Sequence, residues 1–380
     1  MPKLNKISDS TFTIVANGYA DGPAQPLRDY LIQKGAKRVV TVFHPLVPES
    51  GNQHIVSVYS HDKEAHSITR LPNKPPYTYL FDPFVPLRLP ASTVWFGFNN
   101  LACLRGLVRR RTGRTQEVYY WAVDFVPQRF GPGLATKVYN YTDRLVSTRA
   151  NARIELSRAA LDGRSQYLKL PKNAAPGLIA PMGSWLGRAP KSRADAWRKR
   201  TIVYMGHLVE RQGVATLIQA IAILNRKKPS VSADIIGSGP LEEELKKLAK
   251  DLDAKNITFH GFVKDYEDVE KLLGAASVAA APYVKDDKNF TQFADPGKLK
   301  AYLGAGLPTV LTDVPPNAAE LQASGAALIV DDNPQSMADG LEKMLDEKTW
   351  SKAHKDALEY AKQFDWNHIL GKTLESLGFE

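Results

Sequence analysis

Short apolar and β-branched runs recur along this chain, each followed by a stretch with apolar residues at helical spacing. In the second half these runs are "TIVYMGH", "SADIIG", "NITFHGF", "ASVAAAPY", "PTVLTD" and "ALIV". Strands that are apolar without alternation need cover on both faces, and helices supply it in βα units around a parallel sheet. The first half keeps the rhythm in "TFTIVAN", "RVVTVFHPL", "HIVSVYSH", "STVWFGF", "EVYYWAVDF" and "DRLVSTRA". The expected class is α/β, with two doubly wound domains facing a central cleft where the strands' carboxyl ends would hold a ligand. A charged, Gly- and Pro-punctuated segment, "APMGSWLGRAPKSRADAWRKR", separates the halves. It places an N-terminal domain at 1–184, a second domain at 185–364 and a C-terminal helix at 365–380 expected to pack back toward the first. The Pro-rich "LPNKPPYTYLFDPFVPLRLP" is expected to be an irregular surface connection.

A length of 380 residues allows each half its own core. The single Cys103 excludes an internal disulfide and a cysteine metal cage, and fits a reducing compartment. The N-terminus lacks the pattern of a secretory leader, and no eighteen apolar residues run together, so the chain is expected to be cytoplasmic and not membrane-spanning. A formal net charge of +10 points to an anionic partner, whether nucleotide, nucleic acid or acidic lipid.

Two helix entrances narrow that choice. "YMGHLVERQGVATLIQ" reads as a strand, a turn at Gly206 and His207, a loop through Arg211 and Gln212, and a helix. Its free N–H groups and positive dipole end would suit a phosphate, although an ordinary βα turn has the same shape. "NFTQFADPGKLKAYLGAG" repeats the design. Pro296 is expected at the first helical position, Gly297 would let an anion approach the backbone, and Lys298 would add a point charge. Asp295 is expected either to cap the helix or to hold sugar hydroxyls.

Six blocks in order, "YMGHLVERQG", "IIGSGPLEEELKKLA", "NITFHGFV", "LLGAASVAAAPY", "GAGLPTVLTDV" and "AAELQASGAALIVDDNPQSMADGLEKML", resemble the donor domain of GT-B glycosyltransferases of family 4. The resemblance runs from about residue 177 to 375, and "GLIAPMGSWL" looks like the family's linker segment. It implies two Rossmann-like domains and a retaining, metal-independent transferase of the hexosyltransferase type, with a nucleoside-diphosphate sugar as co-substrate and no cofactor. By the same resemblance the donor contacts would come from Gly18, Gly206, His207, Arg211, Gly237, Gly261, Phe262, Pro296, Gly297 and Lys298. Where the family has an Arg after the strand glycine and a Lys before the helix, this chain has His207 and Gln212, so Lys298 is expected to supply the missing charge. The family's Glu-x7-Glu pair would fall at Phe293 and Ala301, with Asp295 two residues from the first position.

The first half resembles the acceptor domain more loosely. Its Gly18 to Gly22 loop is similar to the glycine-bearing loop over donor phosphates, or is simply a βα loop. "VYYWAVDF" aligns with the family's "HD" element, with Val123 in place of the His. Asp124 is accordingly the candidate for orienting the sugar or acceptor hydroxyl, beside Asp295 and Lys298 as catalytic candidates. The alternative for Asp124 is a carboxylate paired with Arg129. His44 in "FHPL" reads as a structural histidine or a site residue. "LACLRGLVRRRTGR" carries Arg109, Arg110 and Arg111, and Leu101, Leu104 and Val108 are expected to face the core. Those arginines and Arg129 are candidates for a glycan or lipid-linked acceptor, or for an anionic membrane at its inner face. A solvated basic helix end is the alternative. Two wider readings stay open: a non-catalytic nucleotide-sugar or glycan binding protein on this scaffold, and a nucleic-acid binder, for which no motif is present.

Overall fold

The computed structural model describes residues 5–18, 22–45, 52–60, 63–70, 79–188, 190–286 and 289–380. The centre of the Gly18 to Gly22 loop, at 19–21, and the Pro-rich residues 71–78 lie outside them. The chain divides into two compact units. Unit 1 is Met1–Pro181 with Asn367–Glu380, and unit 2 is Met182–Trp366.

Unit 1 holds an eight-stranded sheet of β1 (Thr11–Asn17), β2 (Arg38–His44), β3 (Gln53–Ser60), β4 (Lys63–Arg70), β5 (Ser92–Gly97), β6 (Thr115–Ala122), β7 (Ala152–Glu155) and β8 (Gly177–Ile179). Their order is β4-β3-β2-β1-β5-β6-β7-β8, with β3 and β4 antiparallel at one edge. The polar "KEAHSITR" of β4 suits an edge strand, whose face meets water. Between strands run α1 (Ala24–Gln33), α2 (Asn100–Arg111), α3 (Leu134–Arg149) and α4 (Arg158–Tyr167).

Two sequence expectations fail here for physical reasons. "DRLVSTRA" is the end of α3, not a strand. Tyr139, Thr142, Asp143, Val146 and Ser147 are buried at helical spacing, a period too long for that short window to reveal. In α2, Leu101 is buried but Val108 is 53% exposed. Gly106 turns the helix face instead, because a Cβ there would stand 2.4 Å from the Trp95 ring, and Trp95 Nε1 donates to the Ala102 carbonyl of the same helix at 3.0 Å.

Unit 2 carries a six-stranded sheet of β9 (Thr201–Met205), β10 (Ser232–Ile236), β11 (Ile257–Gly261), β12 (Val278–Ala281), β13 (Thr309–Thr312) and β14 (Ala327–Val330). The order is β11-β10-β9-β12-β13-β14, every pair parallel. Its helices are α5 (Val214–Lys227), α6 (Glu242–Asp251), α7 (Tyr266–Ala275), α8 (Gly297–Gly304), α9 (Ala318–Ala323), α10 (Pro334–Met344) and α11 (Glu347–Ala361). Leu217, Ile218, Ile221 and Leu224 of α5 are essentially inaccessible, and burying each such side chain contributes about 1.5–3 kcal/mol. The last helix, α12 (Trp366–Ser376), leads into Phe379, which packs on Phe12 and Tyr119 of unit 1.

In both sheets one strand has neighbours reached in opposite directions of the winding: β1 between β2 and β5, and β9 between β10 and β12. The loops leaving such adjacent strands diverge and open a crevice at the carboxyl ends. In unit 1 that crevice follows Asn17 and Gly97. In unit 2 it follows Met205 and Ala281.

Candidate active site

The unit 2 crevice is built from close backbone approaches. Gly206 follows β9 directly, and its N–H donates to the Ile236 carbonyl at 2.9 Å. At Gly237 a Cβ would stand 2.0 Å from the Gly206 carbonyl oxygen, so the turns after β9 and β10 touch only because this residue is glycine. Gly213, with φ +68°, caps the start of α5, and a Cβ there would meet the Pro282 carbonyl oxygen at 1.7 Å. Neither α5 nor α8 receives a side-chain cap at its N-terminus. Pro296 takes the cap position of α8 in extended conformation, one residue before the first-turn place expected for it, and Gly297 starts the helix.

Lys298, in the first turn of α8, reaches back across this crevice. Its Nζ donates to Gln212 Oε1 at 2.6 Å and lies 4.3 Å from the Tyr204 ring centroid and 5.1 Å from that of Tyr283. A Cβ on Gly206 would sit 2.6 Å from the same Nζ, which puts the ammonium directly against the glycine turn. Burial, with the Arg211 charge as a lesser cause, pushes the Lys298 pKa down to about 7. The aromatic faces offset part of that burial penalty through the ring quadrupole. Arg211 lies over the Phe290 ring at 4.5 Å, and its Nε is buried with no hydrogen-bond partner among the described residues. A lysine with a depressed pKa and an arginine with an orphaned donor thus stand at one glycine turn between two uncapped helix starts.

Asp295 corrects the sequence reading. It neither caps α8 nor keeps an oxygen free. Oδ1 accepts from Lys300 Nζ at 2.7 Å and Asn317 Nδ2 at 3.1 Å, and Oδ2 accepts from the Met182 N–H at 2.7 Å. The Lys300 and Asp295 side chains are 1% and 4% exposed. The acid therefore fixes the loop entering α8, and Lys300 is its counter-ion. Sequence reasoning missed Lys300, although an Asp followed five residues later by a Lys was visible. It also missed Tyr204 and Tyr283, which look like ordinary strand-end residues until α8 brings Lys298 over them.

The remaining unit 2 candidates surround this turn less directly. His207 is exposed, and its carbonyl accepts from the Tyr204 hydroxyl at 3.2 Å. Gly261, with φ +65°, ends β11, and Phe262 after it is 74% exposed. A separate groove beside α5 and α6 is lined by Glu210, Glu244 and Asp251 against a single Lys247, a balance unsuited to an anion.

In unit 1 the crevice is a pocket of about 170 Å³ lined by Asn17, Gly18, Phe98, Asn99, Asp124, Arg129 and Tyr139, among others. Asp124 is ion-paired with Arg129, as the alternative reading held, yet its side chain stays 43% exposed and on the pocket wall. Arg129 also lies over the Tyr139 ring at 5.4 Å, which fixes the guanidinium from behind. Gly18, with φ +87°, donates to the His44 carbonyl at 2.8 Å. His44 itself is buried.

The arginine cluster is largely structural. Arg109 is buried, donating to the carbonyls of Pro90 at 2.6 Å and Leu89 at 3.3 Å, so it cannot meet an acceptor or a membrane. Arg110 closes on Asn151 Oδ1 and the Arg149 carbonyl. Arg111 remains exposed. No described helix is long and apolar enough to cross a membrane.

Residues 199–347 match the family described as glycosyl transferases group 1. Over 208 residues the chain is 28% identical to a GDP-mannose-dependent alpha-(1-6)-phosphatidylinositol monomannoside mannosyltransferase of Mycolicibacterium smegmatis, covering 52% of this chain and 54% of that protein. The chain thus spans about half the length of this curated relative. Among solved structures it is similar to sucrose-phosphate synthase from Thermosynechococcus elongatus, with TM-score 0.72, 16% identity, and 97% and 99% of the two chains covered. HepE of Anabaena, solved in complex with UDP and glucose, gives TM-score 0.67 and 15% identity over 97% and 99%. The fold is that of the GT-B glycosyltransferases.

Proposed function

We propose that this chain transfers a sugar from a nucleoside-diphosphate sugar to a glycan or lipid-linked acceptor, with retained anomeric configuration and without a catalytic metal. The observation that carries the reading is Lys298, held by Gln212 and two aromatic rings against the Gly206 turn between two uncapped helix starts. The matching segment 199–347 and the UDP-bound neighbour support the nucleotide-sugar class.

As the bond from the anomeric carbon to the diphosphate oxygen breaks, negative charge gathers on the leaving phosphate. The helix N-termini, Lys298 and Arg211 stabilise that charge more strongly than they do in the ground state. The acceptor oxygen bonds to the anomeric carbon on the face the phosphate is leaving, and its proton passes to the departing phosphate oxygen. No strong enzymic base is then needed. Asp124 accepts a hydrogen bond from the sugar or the incoming hydroxyl, and Arg129 sets its orientation. Asp295 acts indirectly, holding the entrance of α8 where Lys298 is aimed.

A thermal-shift panel of uridine, guanosine, adenosine and thymidine diphosphates tests the donor half. One of them raises Tm in the parent chain, and Lys298→Ala abolishes the rise. Absence of any shift at millimolar concentration refutes the reading. A shift with no sugar released from any nucleotide sugar leaves the binding-protein alternative standing in its place.

A further inference from the structure

Behind the unit 1 pocket lies a second group of chemistry-bearing side chains that the transfer reaction does not use. His44 ends β2, His54 is the second residue of β3, and Asp82 sits in the 3-10 helix Tyr79–Phe84. All three are buried, at 1%, 1% and 2% exposure. Their facing atoms form a triangle: His44 Nδ1 to His54 Nδ1 is 2.7 Å, and Asp82 Oδ1 lies 3.8 Å and 3.9 Å from those nitrogens.

We propose that His44, His54 and Asp82 bind one divalent transition-metal ion, of which zinc is the type, with a water molecule completing four-coordination, as a staple of unit 1. Three observations converge on it. Imidazole nitrogens with one carboxylate oxygen are a donor set that zinc accepts, and bonds of about 2.0–2.1 Å in tetrahedral geometry set neighbouring donors about 3.3 Å apart. The three edges straddle that value, so side-chain adjustments of about half an ångström suffice. Asp82 Oδ1 is buried and lacks a hydrogen-bond partner among the described residues, while facing both rings. A carboxylate oxygen left so is costly unless a cation or proton meets it.

The carboxylate is also aimed. Asn17 Nδ2 donates to its other oxygen, Oδ2, at 2.5 Å, and Asn99 Nδ2 donates to Asn17 Oδ1 at 2.5 Å. Asn99 is in turn fixed as the N-cap of α2, accepting from the Ala102 N–H at 2.7 Å. Such outer hydrogen bonds orient metal ligands. Arg105 points its guanidinium at the Asp82 main-chain carbonyl at 3.5 Å, and its charge is the term that opposes a dication here. The ion would join the ends of two strands to the irregular Tyr79–Phe84 segment, and through Asn17 and Asn99 it would stiffen one wall of the pocket.

The test uses the full chain stripped with a chelator and titrated with cobalt(II) and then zinc, with no sugar or nucleotide present. One equivalent of cobalt per chain is expected, with the visible absorption of a four-coordinate site, lost when zinc displaces it, and a Tm that rises with zinc concentration. His54→Gln and Asp82→Asn, checked for native circular dichroism, should abolish stoichiometric uptake, and Asn17→Ala should weaken it about tenfold. Failure of the parent chain to take up one equivalent overturns the proposal even if both variants misfold. Uptake unchanged in folded His54→Gln and Asp82→Asn overturns it as well, by placing the metal elsewhere.

Discussion

Lys298 carries its pKa, about 7, into the pH range where the chain would work, and that makes donor binding a titration. A bound diphosphate needs the ammonium, so the free protein must first take up a proton wherever the lysine is neutral. At pH 6 nearly every molecule is charged. At pH 8 only about one in ten is, and the apparent affinity for a nucleoside-diphosphate sugar should be about tenfold weaker, or about 1.4 kcal/mol. A lysine at its ordinary pKa of 10.5 would leave affinity flat across this window. The nucleotide sugar is the right probe, since its diphosphate diester does not itself titrate there. Calorimetry in buffers of different ionisation enthalpy should show nearly one proton taken up per ligand at pH 8 and almost none at pH 6. The same shift has a stability face. Between about pH 7 and 10.5 the unfolded chain binds more protons than the folded one, so this group's contribution becomes more favourable as pH rises and costs most at and below pH 7. Lys298→Met should therefore remove that slope and stabilise the chain at pH 7. The ceiling is about 5 kcal/mol, less about 1 kcal/mol for the lost bond to Gln212. The variant should lose nucleotide binding at every pH. A flat affinity in the parent chain between pH 6 and 8, or an unaltered pH profile of stability in Lys298→Met, would refute the reasoning.

Three further outcomes are expected. Asp295→Asn leaves the Lys300 ammonium buried without its counter-ion and should cost about 3–5 kcal/mol in denaturant unfolding, whereas a joint Asp295→Leu and Lys300→Met replacement should recover most of it. Gly213→Ala meets both a positive φ and the Pro282 carbonyl, so urea unfolding should show a loss of at least about 2 kcal/mol. Arg129→Gln breaks a partly exposed pair worth at most about 1 kcal/mol of stability. Its Tm should hardly move, while the rate of sugar transfer falls and nucleotide affinity stays as it was.

The second half was readable because its strands are mostly apolar without alternation and several are followed by amphipathic helices such as α5, α6 and α10, the pattern of a parallel sheet covered on both faces. Lys298 was readable for a local reason, since it lies in the turn that starts a helix. What it would touch was not, because Gln212, Tyr204 and Tyr283 come from three other segments and meet it only once β9 and β12 are adjacent. Asp295 was misread because a short acid before a helix ordinarily caps it or faces solvent. Its true partner, Lys300, carries no local signal of burial, and the pair is enclosed where the Met182 N–H meets Asp295 and the Phe364 ring lies under the Lys300 ammonium. The arginines misled in the opposite direction. Five in ten residues suggested a charged surface, but Arg109 lies back across Trp95 to reach two carbonyls of the segment before β5. A basic count says nothing about where long side chains are bent.

Phe379 has a consequence for the birth of the molecule. It fills the space between Phe12 and Tyr119, and residues 378–380 are zipped by backbone bonds to Asn5 and Ile7. Unit 1 is thus interrupted by the 185 residues of Met182–Trp366 and cannot close its core until they have been synthesised. On the ribosome unit 2, an unbroken stretch of chain, can settle first while the earlier strands wait with Phe12 uncovered. During that interval Phe12 and Tyr119 lack the ring that covers them, so deleting residues 378–380 should leave the core of unit 1 open while unit 2 still folds.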